Sequence, residues 1–187
     1  SASYRKTLSA ATGDGKPMPV FVKAAIWVCV AVMYTMQVSP VFYRVQAGAQ
    51  GGAAAPVGAA VMAVALVIES LADKQKSAAK QKAPGRFCDS GLYKLVRCPN
   101  YFGELLFWTG VLISGFSALR GAVQWAVALI GYILIVYVMF SGAKRLELRQ
   151  NKSYGQDEAY RAYVARTPII LPLVPLYHLE NVKFIVV

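Results

Sequence analysis

The feature that most restricts how this chain can fold is a run of 23 residues, 121–143, that contains no charged side chain. One charge at the centre of a bilayer costs at least about 2.5 kcal/mol, so stretches without charge mark segments that can cross a membrane. As a helix, 23 residues easily span a hydrocarbon core of about 30 Å. The run therefore predicts a transmembrane helix.

Three further stretches lack charge over most of their length. The first predicts a helix over about residues 20–38, and the second a helix that begins near Pro56, after a Gly/Ala-rich loop. The third, residues 105–119, is short but extends backward through the sequence YFGE. Apolar residues make up 57% of the chain and charged residues 16%, against roughly 45–50% and roughly 25% in soluble domains. We expect an all-α integral membrane protein with about four transmembrane helices.

The positive charge is concentrated in two segments of the chain. The chain has 20 Lys and Arg and 9 Asp and Glu. Of the 20 cations, 14 lie either in the second connection, between the second and third predicted helices, or in the tail after the fourth. Because basic loops stay on one side of a membrane, this distribution predicts four spans with both termini on the basic side. The second connection is then an interfacial, helical basic loop, followed later by a basic C-terminal tail. Topology accounts for the net charge of +11, which favours membrane lipids as partners and argues against nucleic acid.

The cysteines and the histidine form no metal or catalytic pattern. Cys29 lies in a predicted span, Cys88 and Cys98 are ten residues apart, and His178 is the only histidine. A zinc site or a catalytic triad built on histidine needs more partners than these. We expect structural thiols and no metal.

Four charged residues after the second span recur with the period of a helix. Glu69, Asp73, Lys76 and Lys80 lie at i, i+4, i+7 and i+11, which places them in one stripe. The stripe is compatible with an interfacial face of paired charges, because i,i+4 neighbours stabilise helices. It is equally compatible with a binding face. The Pro-Gly pair at residues 84–85 predicts the end of this helix.

The third span begins with two polar residues on one face. Asn100 and Glu104 lie at i and i+4, at the entrance of the predicted helix. A carboxylate so close to hydrocarbon is costly, which makes Glu104 a candidate functional residue. The alternative is that the helix dipole stabilises Glu104 near the N-terminus of this helix.

Three blocks of this chain resemble a known family of membrane proteins. They are ADKQK, GRFCDSGLYKLVRCPNYFGELLFWTG and LELRQNKSYGQDEAYRAYVARTPIILPLVP. They are similar to the steroid 5α-reductase C-terminal family, and specifically to its branch of uncharacterised reductase-like proteins, over about residues 57–179. We accordingly divide the chain into an N-terminal extension (1–19), a first transmembrane helix with a Gly/Ala-rich loop (20–55), a reductase-like membrane domain (56–179) and a C-terminal extension (180–187).

The resemblance implies an NADPH-dependent reduction of a conjugated double bond in a lipid. In that case Glu104 would be the catalytic carboxylate near the nicotinamide and the substrate carbonyl. The residues implied to bind the cofactor are Glu69, Asp73, Lys76, Lys80, Arg97, Asn100, Tyr160 and Tyr163. A dinucleotide carries several negative charges, which the basic loop and tail would complement.

The chain departs from this family in ways that argue against catalysis. The family block has histidine where this chain has Cys98, and a neutral thiol does not replace an imidazole as a donor or cation. Only about one helix precedes the region of resemblance, so part of the substrate pocket would be missing or supplied by another protein. Residues 1–19 resemble nothing in the family.

Two functional hypotheses follow. The first, which we favour, is an accessory, non-catalytic subunit packed among other integral membrane subunits of a larger complex, with a respiratory complex of the mitochondrial inner membrane as the expected site. The alternative is an NAD(P)H-dependent reductase of a sterol or other lipid enone. An endoplasmic reticulum or bacterial membrane remains open as the location.

Overall fold

The computed structural model describes residues 18–48 and 52–186. Within these ranges the chain forms five α-helices and no strand. The helices are α1 (Val20–Gln46), α2 (Ala54–Lys82), α3 (Pro99–Gly115), α4 (Gly121–Tyr154) and α5 (Glu158–Arg166), and a 3-10 helix covers Gly91–Lys94. Most of the predicted N-terminal extension (1–19) and part of the Gly/Ala-rich loop lie outside the described residues.

Three of the helices, α1, α2 and α4, are long and apolar enough to cross a membrane. They fit an integral membrane protein, as the sequence predicts. Helix α3 has only 17 residues, and at 1.5 Å per residue it is about 25 Å long, shorter than a hydrocarbon core of about 30 Å. That α3 is a fourth transmembrane helix therefore stays a prediction.

The first part of α1, residues 20–35, belongs to a separate compact unit from the rest of the chain. Its apolar side chains are open to the surroundings, and Phe21 and Trp27 are 74% and 79% exposed. In a membrane such side chains contact lipid or another apolar surface.

Helices α2 and α3 approach each other at glycine. A Cβ atom built on Gly58 would lie 2.5 Å from the carbonyl oxygen of Gly110, and one built on Gly110 would lie 2.8 Å from the carbonyl oxygen of Gly58. Small residues allow such approach between membrane helices, where van der Waals packing holds the helices together. The two helices are therefore joined in a pair that a side chain at either position would disturb.

Helix α4 continues well beyond the charge-free run that predicts it. The run ends at residue 143, whereas the helix ends at Tyr154, after 34 residues and about 51 Å. Helix α2 likewise continues past its apolar part to Lys82, two residues before the Pro-Gly pair that the sequence predicts as its end. The basic ends of both helices thus extend beyond their apolar parts.

The segment after α5 folds back onto α4 and α3. Leu179, Ile185 and Ile169 are buried in one cluster with Cys98 and Leu105. The backbone of the connector is tied to this segment, because the N–H groups of Arg97 and Cys98 donate to the carbonyl oxygens of Pro168 and Ile169 at 2.9 and 2.8 Å. The connector between α2 and α3 is held in place by the C-terminal segment, which positions the candidate site.

Candidate functional site

A cavity of about 200 Å³ lies between the basic ends of α2 and α4 and the connector before α3. Lys76, Lys80, Arg97 and Asn100 line it, and these are four of the eight residues that the resemblance implies for a cofactor. The remaining lining residues are Phe87, Cys88, Tyr93, Leu146, Arg149, Gln150, Ser153 and Tyr154. The structure therefore brings half of the expected cofactor residues to one cavity.

The cavity, which we call the basic cavity, has four cations in its lining and no carboxylate among them. Lys80 is already used by the protein, because its Nζ donates to the carbonyl oxygens of Arg86 (2.7 Å) and Pro84 (3.2 Å) and to the hydroxyl of Tyr154 (2.8 Å). Lys76 and Arg149 make no hydrogen bond to another described residue through their charged groups. An anion that enters the cavity finds Lys76 and Arg149 available to bind it.

Arg97 is the most deeply buried of these cations. Its side chain is 2% exposed and its Nη2 lies 2.9 Å from Oε1 of Glu147, whose side chain is fully buried. Nη2 also donates to the carbonyl oxygen of Tyr177. Within the described residues, Nε and Nη1 of Arg97 have no hydrogen-bond partner. Unpaired donors of a buried guanidinium are costly, so a ligand oxygen would stabilise them.

The three predicted carboxylates lie outside the basic cavity. Asp73 is exposed, and Glu69 is half-buried on α2, opposite Gly103 of α3. Glu104 is half-buried and accepts a hydrogen bond of 2.9 Å from Nε1 of Trp108, one turn further along α3. Helix α3 begins at Pro99, which puts Glu104 in its second turn, beyond the strongest part of the dipole. The catalytic candidate and the cationic residues are therefore not assembled into one site.

The two predicted tyrosines on α5 form the wall behind the cavity rather than its lining. Tyr160 and Tyr163 pack on Phe87, with ring centroids 5.2 and 5.4 Å away. The hydroxyl of Tyr160 donates to Oδ1 of Asn151 at 2.8 Å, and that of Tyr163 to the carbonyl oxygen of Tyr93 at 2.7 Å. Burial raises the pKa of Tyr160 to about 12 and the pKa of Tyr163 further, so both phenols are neutral donors.

Cys98, at the position where the resemblance implies histidine, does not line the basic cavity. It is 2% exposed and packs with Leu105, Ala143 and Ile169 in the apolar cluster. Burial raises the pKa of its thiol to about 12. Cys98 therefore acts as a small apolar side chain, and Cys88 is likewise a free, buried thiol.

We expect Cys98 to resist alkylation in the folded protein. Burial raises the pKa of this thiol to about 12, so little of the reactive thiolate is present at pH 8, and the buried sulfur is also shielded from the reagent. Detergent-solubilised protein treated with N-ethylmaleimide at pH 8 should retain an unmodified Cys98 by peptide mass spectrometry, whereas the denatured chain should be modified within minutes. Equal rates in the two states would contradict the burial of this thiol.

Sequence reasoning missed the contribution of α4 to the site. Leu146, Arg149, Gln150 and Ser153 lie at i, i+3, i+4 and i+7, a helical pattern that was available in the sequence. This helical pattern lies beyond residue 143, where the charge-free run ends, in a segment that the charge distribution alone describes only as a basic tail. Glu147 lies in the same turn, and its ionic partner in the structure is Arg97, 50 residues away in the chain, and not one of the cations next to it in sequence.

The volume of the basic cavity limits what it can hold. Sites for small molecules and cofactors have volumes of roughly 300–1,000 Å³, and this cavity has about 200 Å³. It accommodates a phosphate-sized group with some of its neighbouring atoms, but not a whole dinucleotide. Asn100 can add a neutral amide contact beside the cations.

Comparison with known proteins extends the region of resemblance toward the N-terminus. A family model described as "Protein of unknown function (DUF1295)" matches residues 4–167. The matched range includes the first helix and most of residues 1–19, so the prediction that residues 1–19 resemble nothing in the family is wrong. It ends before the last residues of the stretch 57–179 that carries the resemblance. Searches of the curated proteins and of the solved structures give no match. The chain therefore belongs to DUF1295, which is a steroid 5α-reductase-like family.

Proposed function

We propose that this protein is an accessory, non-catalytic integral membrane subunit that binds a phosphate-bearing ligand in its basic cavity. The observation that carries the proposal is the lining itself, in which Lys76, Arg97 and Arg149 surround a cavity without a carboxylate. Arg97 is paired with Glu147, whereas Lys76 and Arg149 have no carboxylate partner among the described residues, and an anion with several oxygens would supply an anionic partner. The phosphate of a nucleotide such as NADPH has this chemistry.

Two features support a role without catalysis. Glu104 does not line the basic cavity and is hydrogen-bonded to Trp108, so it does not contact a phosphate group held by the cations inside that cavity. Cys98 supplies neither a cation nor an imidazole at the position where the family has histidine. The parent complex and its membrane, with a mitochondrial respiratory complex as the expected site, stay predictions from the sequence.

The alternative function is an NAD(P)H-dependent reductase of a lipid enone. Its specific support is that Lys76, Lys80, Arg97 and Asn100, all implied to bind a cofactor, line the same cavity. In this hypothesis the phosphate end of the cofactor would lie in the basic cavity, and the nicotinamide would extend along α3 toward Glu104. The assignment of this protein to the uncharacterised reductase-like branch of the family is part of the same proposal.

Titration of the detergent-solubilised protein with NADPH, ADP and inorganic phosphate tests the ligand. Each loss of a charge-assisted hydrogen bond costs about 1.5–3 kcal/mol, and 1.4 kcal/mol corresponds to tenfold in affinity. We therefore expect Lys76→Gln and Arg149→Gln each to weaken binding by about tenfold or more in calorimetry. The matched control is Lys94→Gln, an exposed lysine of the connector that does not line the cavity.

The outcomes separate the two hypotheses. If wild-type protein binds none of the three ligands, or if Lys76→Gln binds them as wild type does, the basic cavity is not an anion site. Steady oxidation of NADPH with a sterol enone, abolished by Glu104→Gln, would contradict the non-catalytic role and establish the reductase. Binding without turnover is the result that we expect.

A further inference from the structure

A second cavity, of different chemistry, lies between α4 and the C-terminal segment. It is an open groove of about 540 Å³, within the range of small-molecule sites. Every residue that lines it is apolar or aromatic: Ile133, Val136, Tyr137, Phe140, Leu176, Leu179, Val182, Phe184 and Ile185. The hydroxyl of Tyr137 is used by the backbone, because it accepts from the N–H of Val186 at 3.1 Å. We call this surface the apolar groove.

A buried cation is hydrogen-bonded to the backbone of two residues that line the apolar groove. Lys144 lies one turn after Phe140 on the same face of α4 and is 9% exposed. Its Nζ donates to the carbonyl oxygens of Val182 (2.8 Å) and Ile185 (3.1 Å), two residues that line the groove. Within residues 18–48 and 52–186, no carboxylate lies within 4 Å of this ammonium.

A buried ammonium without a counter-ion is unfavourable. The group has three N–H donors, of which two are used by carbonyl oxygens, so within the part of the chain that the structure describes one donor and the positive charge have no compensating group. Buried charges are normally paired with an opposite charge, because desolvation is not offset by neutral acceptors alone. An anion placed beside the apolar groove would compensate this charge.

We propose that the apolar groove binds one acyl chain of an anionic phospholipid of the bilayer, with the lipid phosphate at Lys144. The groove residues of α4 lie within the charge-free run, and Lys144 follows it on the basic side of the predicted topology. A phospholipid has the same order along its length, with apolar chains in the membrane and phosphate at the surface. Anionic headgroups are attracted by cations at that surface. The proposal does not depend on the ligand of the basic cavity.

Native mass spectrometry of the detergent-purified protein tests this site. We expect phosphatidylglycerol to be retained about tenfold more strongly than phosphatidylcholine with the same acyl chains. Ile133→Trp places an indole in the groove and should lower retention of phosphatidylglycerol at least tenfold. The control is Leu134→Trp, a neighbouring residue of α4 that does not line the groove, which should bind as wild type does.

Variants of Lys144 separate the headgroup contribution from that of the acyl chain. Lys144→Met should remove the preference for phosphatidylglycerol, while Lys144→Arg should keep it, since arginine also keeps the bonds to the C-terminal segment within reach. Equal retention of the two lipids by wild-type protein would overturn the proposal, as would normal binding by Ile133→Trp. If Ile133→Trp instead converts a dimer to a monomer, the groove is occupied by a second copy of this chain and the proposal is wrong.

Discussion

Replacement of Glu147 by alanine is expected to destabilise the protein by about 3–5 kcal/mol, the cost of leaving one member of a buried ion pair without its partner. Glu147 is fully buried, and Arg97, its partner at 2.9 Å, is 2% exposed. Alanine removes the one carboxylate that pairs with this buried guanidinium among the described residues, while the hydrogen bond to the carbonyl oxygen of Tyr177 remains. The effect should be seen as a lower midpoint of thermal unfolding in detergent.

The same carboxylate holds the C-terminal segment on α4. Its Oε2 accepts from the N–H groups of Leu179 (2.7 Å) and Glu180 (3.1 Å), and its Oε1 lies 3.2 Å from Nδ1 of His178. Hydrogen exchange should therefore increase at residues 177–186 in Glu147→Ala before it increases in α2 or α3. Local release of this segment would precede global unfolding, because the helices are joined by other contacts.

Controls decide whether the pair or merely the charge is responsible. Glu158→Ala removes an exposed carboxylate of α5 and should leave the midpoint unchanged within error. The double variant Arg97→Met, Glu147→Leu removes both charges and should be less destabilised than Glu147→Ala, because no unpaired buried charge remains. A double variant that is as unstable as the sum of its single variants would contradict the coupling.

The positions of the long helices could be predicted from the sequence, because charge is excluded from the bilayer. Their ends could be predicted less well. Helix α1 continues to Gln46, with Pro40 inside it, where a helix to about residue 38 is predicted. Helix α4 continues to Tyr154, because amphipathic turns follow its apolar run without a change in backbone conformation. Hydropathy identifies the apolar part of a helix that crosses the membrane, but it does not show how far the helix continues as polar turns beyond it.

The sequence predicts only part of the lining of the basic cavity, because residues on one face of α2 lie at different levels along the helix axis. Glu69, Asp73, Lys76 and Lys80 share a stripe, but residues eleven positions apart are separated by about 16 Å along α2. The cavity lies at the level of the two lysines, which line it, and the two carboxylates are absent from its lining. Periodicity predicts the face of a helix, whereas the level at which a ligand binds depends on the elements packed against it.

The opposite directions of two adjacent side chains, Arg97 and Cys98, show a second limit of prediction from the sequence. Arg97 and Cys98 are adjacent in the chain, yet one side chain lines the basic cavity and the other packs in the apolar cluster. Their directions are fixed by hydrogen bonds from their backbone N–H groups to Pro168 and Ile169, about 70 residues away. Long-range bonds of this kind leave no local signal in the sequence.

Enlarging Gly58 or Gly110 is expected to separate α2 from α3 and to cost about 1–3 kcal/mol or more for a single methyl group. The Cβ of Gly58→Ala would lie 2.5 Å from the carbonyl oxygen of Gly110 and 2.7 Å from the backbone N of Ser114. Both are backbone atoms, so no side-chain rotation relieves the overlap, and the helix axes must move apart. Gly58→Val should lower the unfolding midpoint further, in proportion to the added volume.

Gly85→Ala is the matched control, since a Cβ at that position has nothing within 4 Å and the backbone conformation is not left-handed. The informative variant is the double one, Gly58→Ala with Gly110→Ala. Each single change forces the same separation of α2 from α3, so the second methyl group enters a space that the first has already opened. The two costs should therefore sum to more than the cost of the double variant. Strict additivity would mean that the two glycines act at independent contacts, and single variants as stable as Gly85→Ala would mean that the two helices do not approach each other this closely.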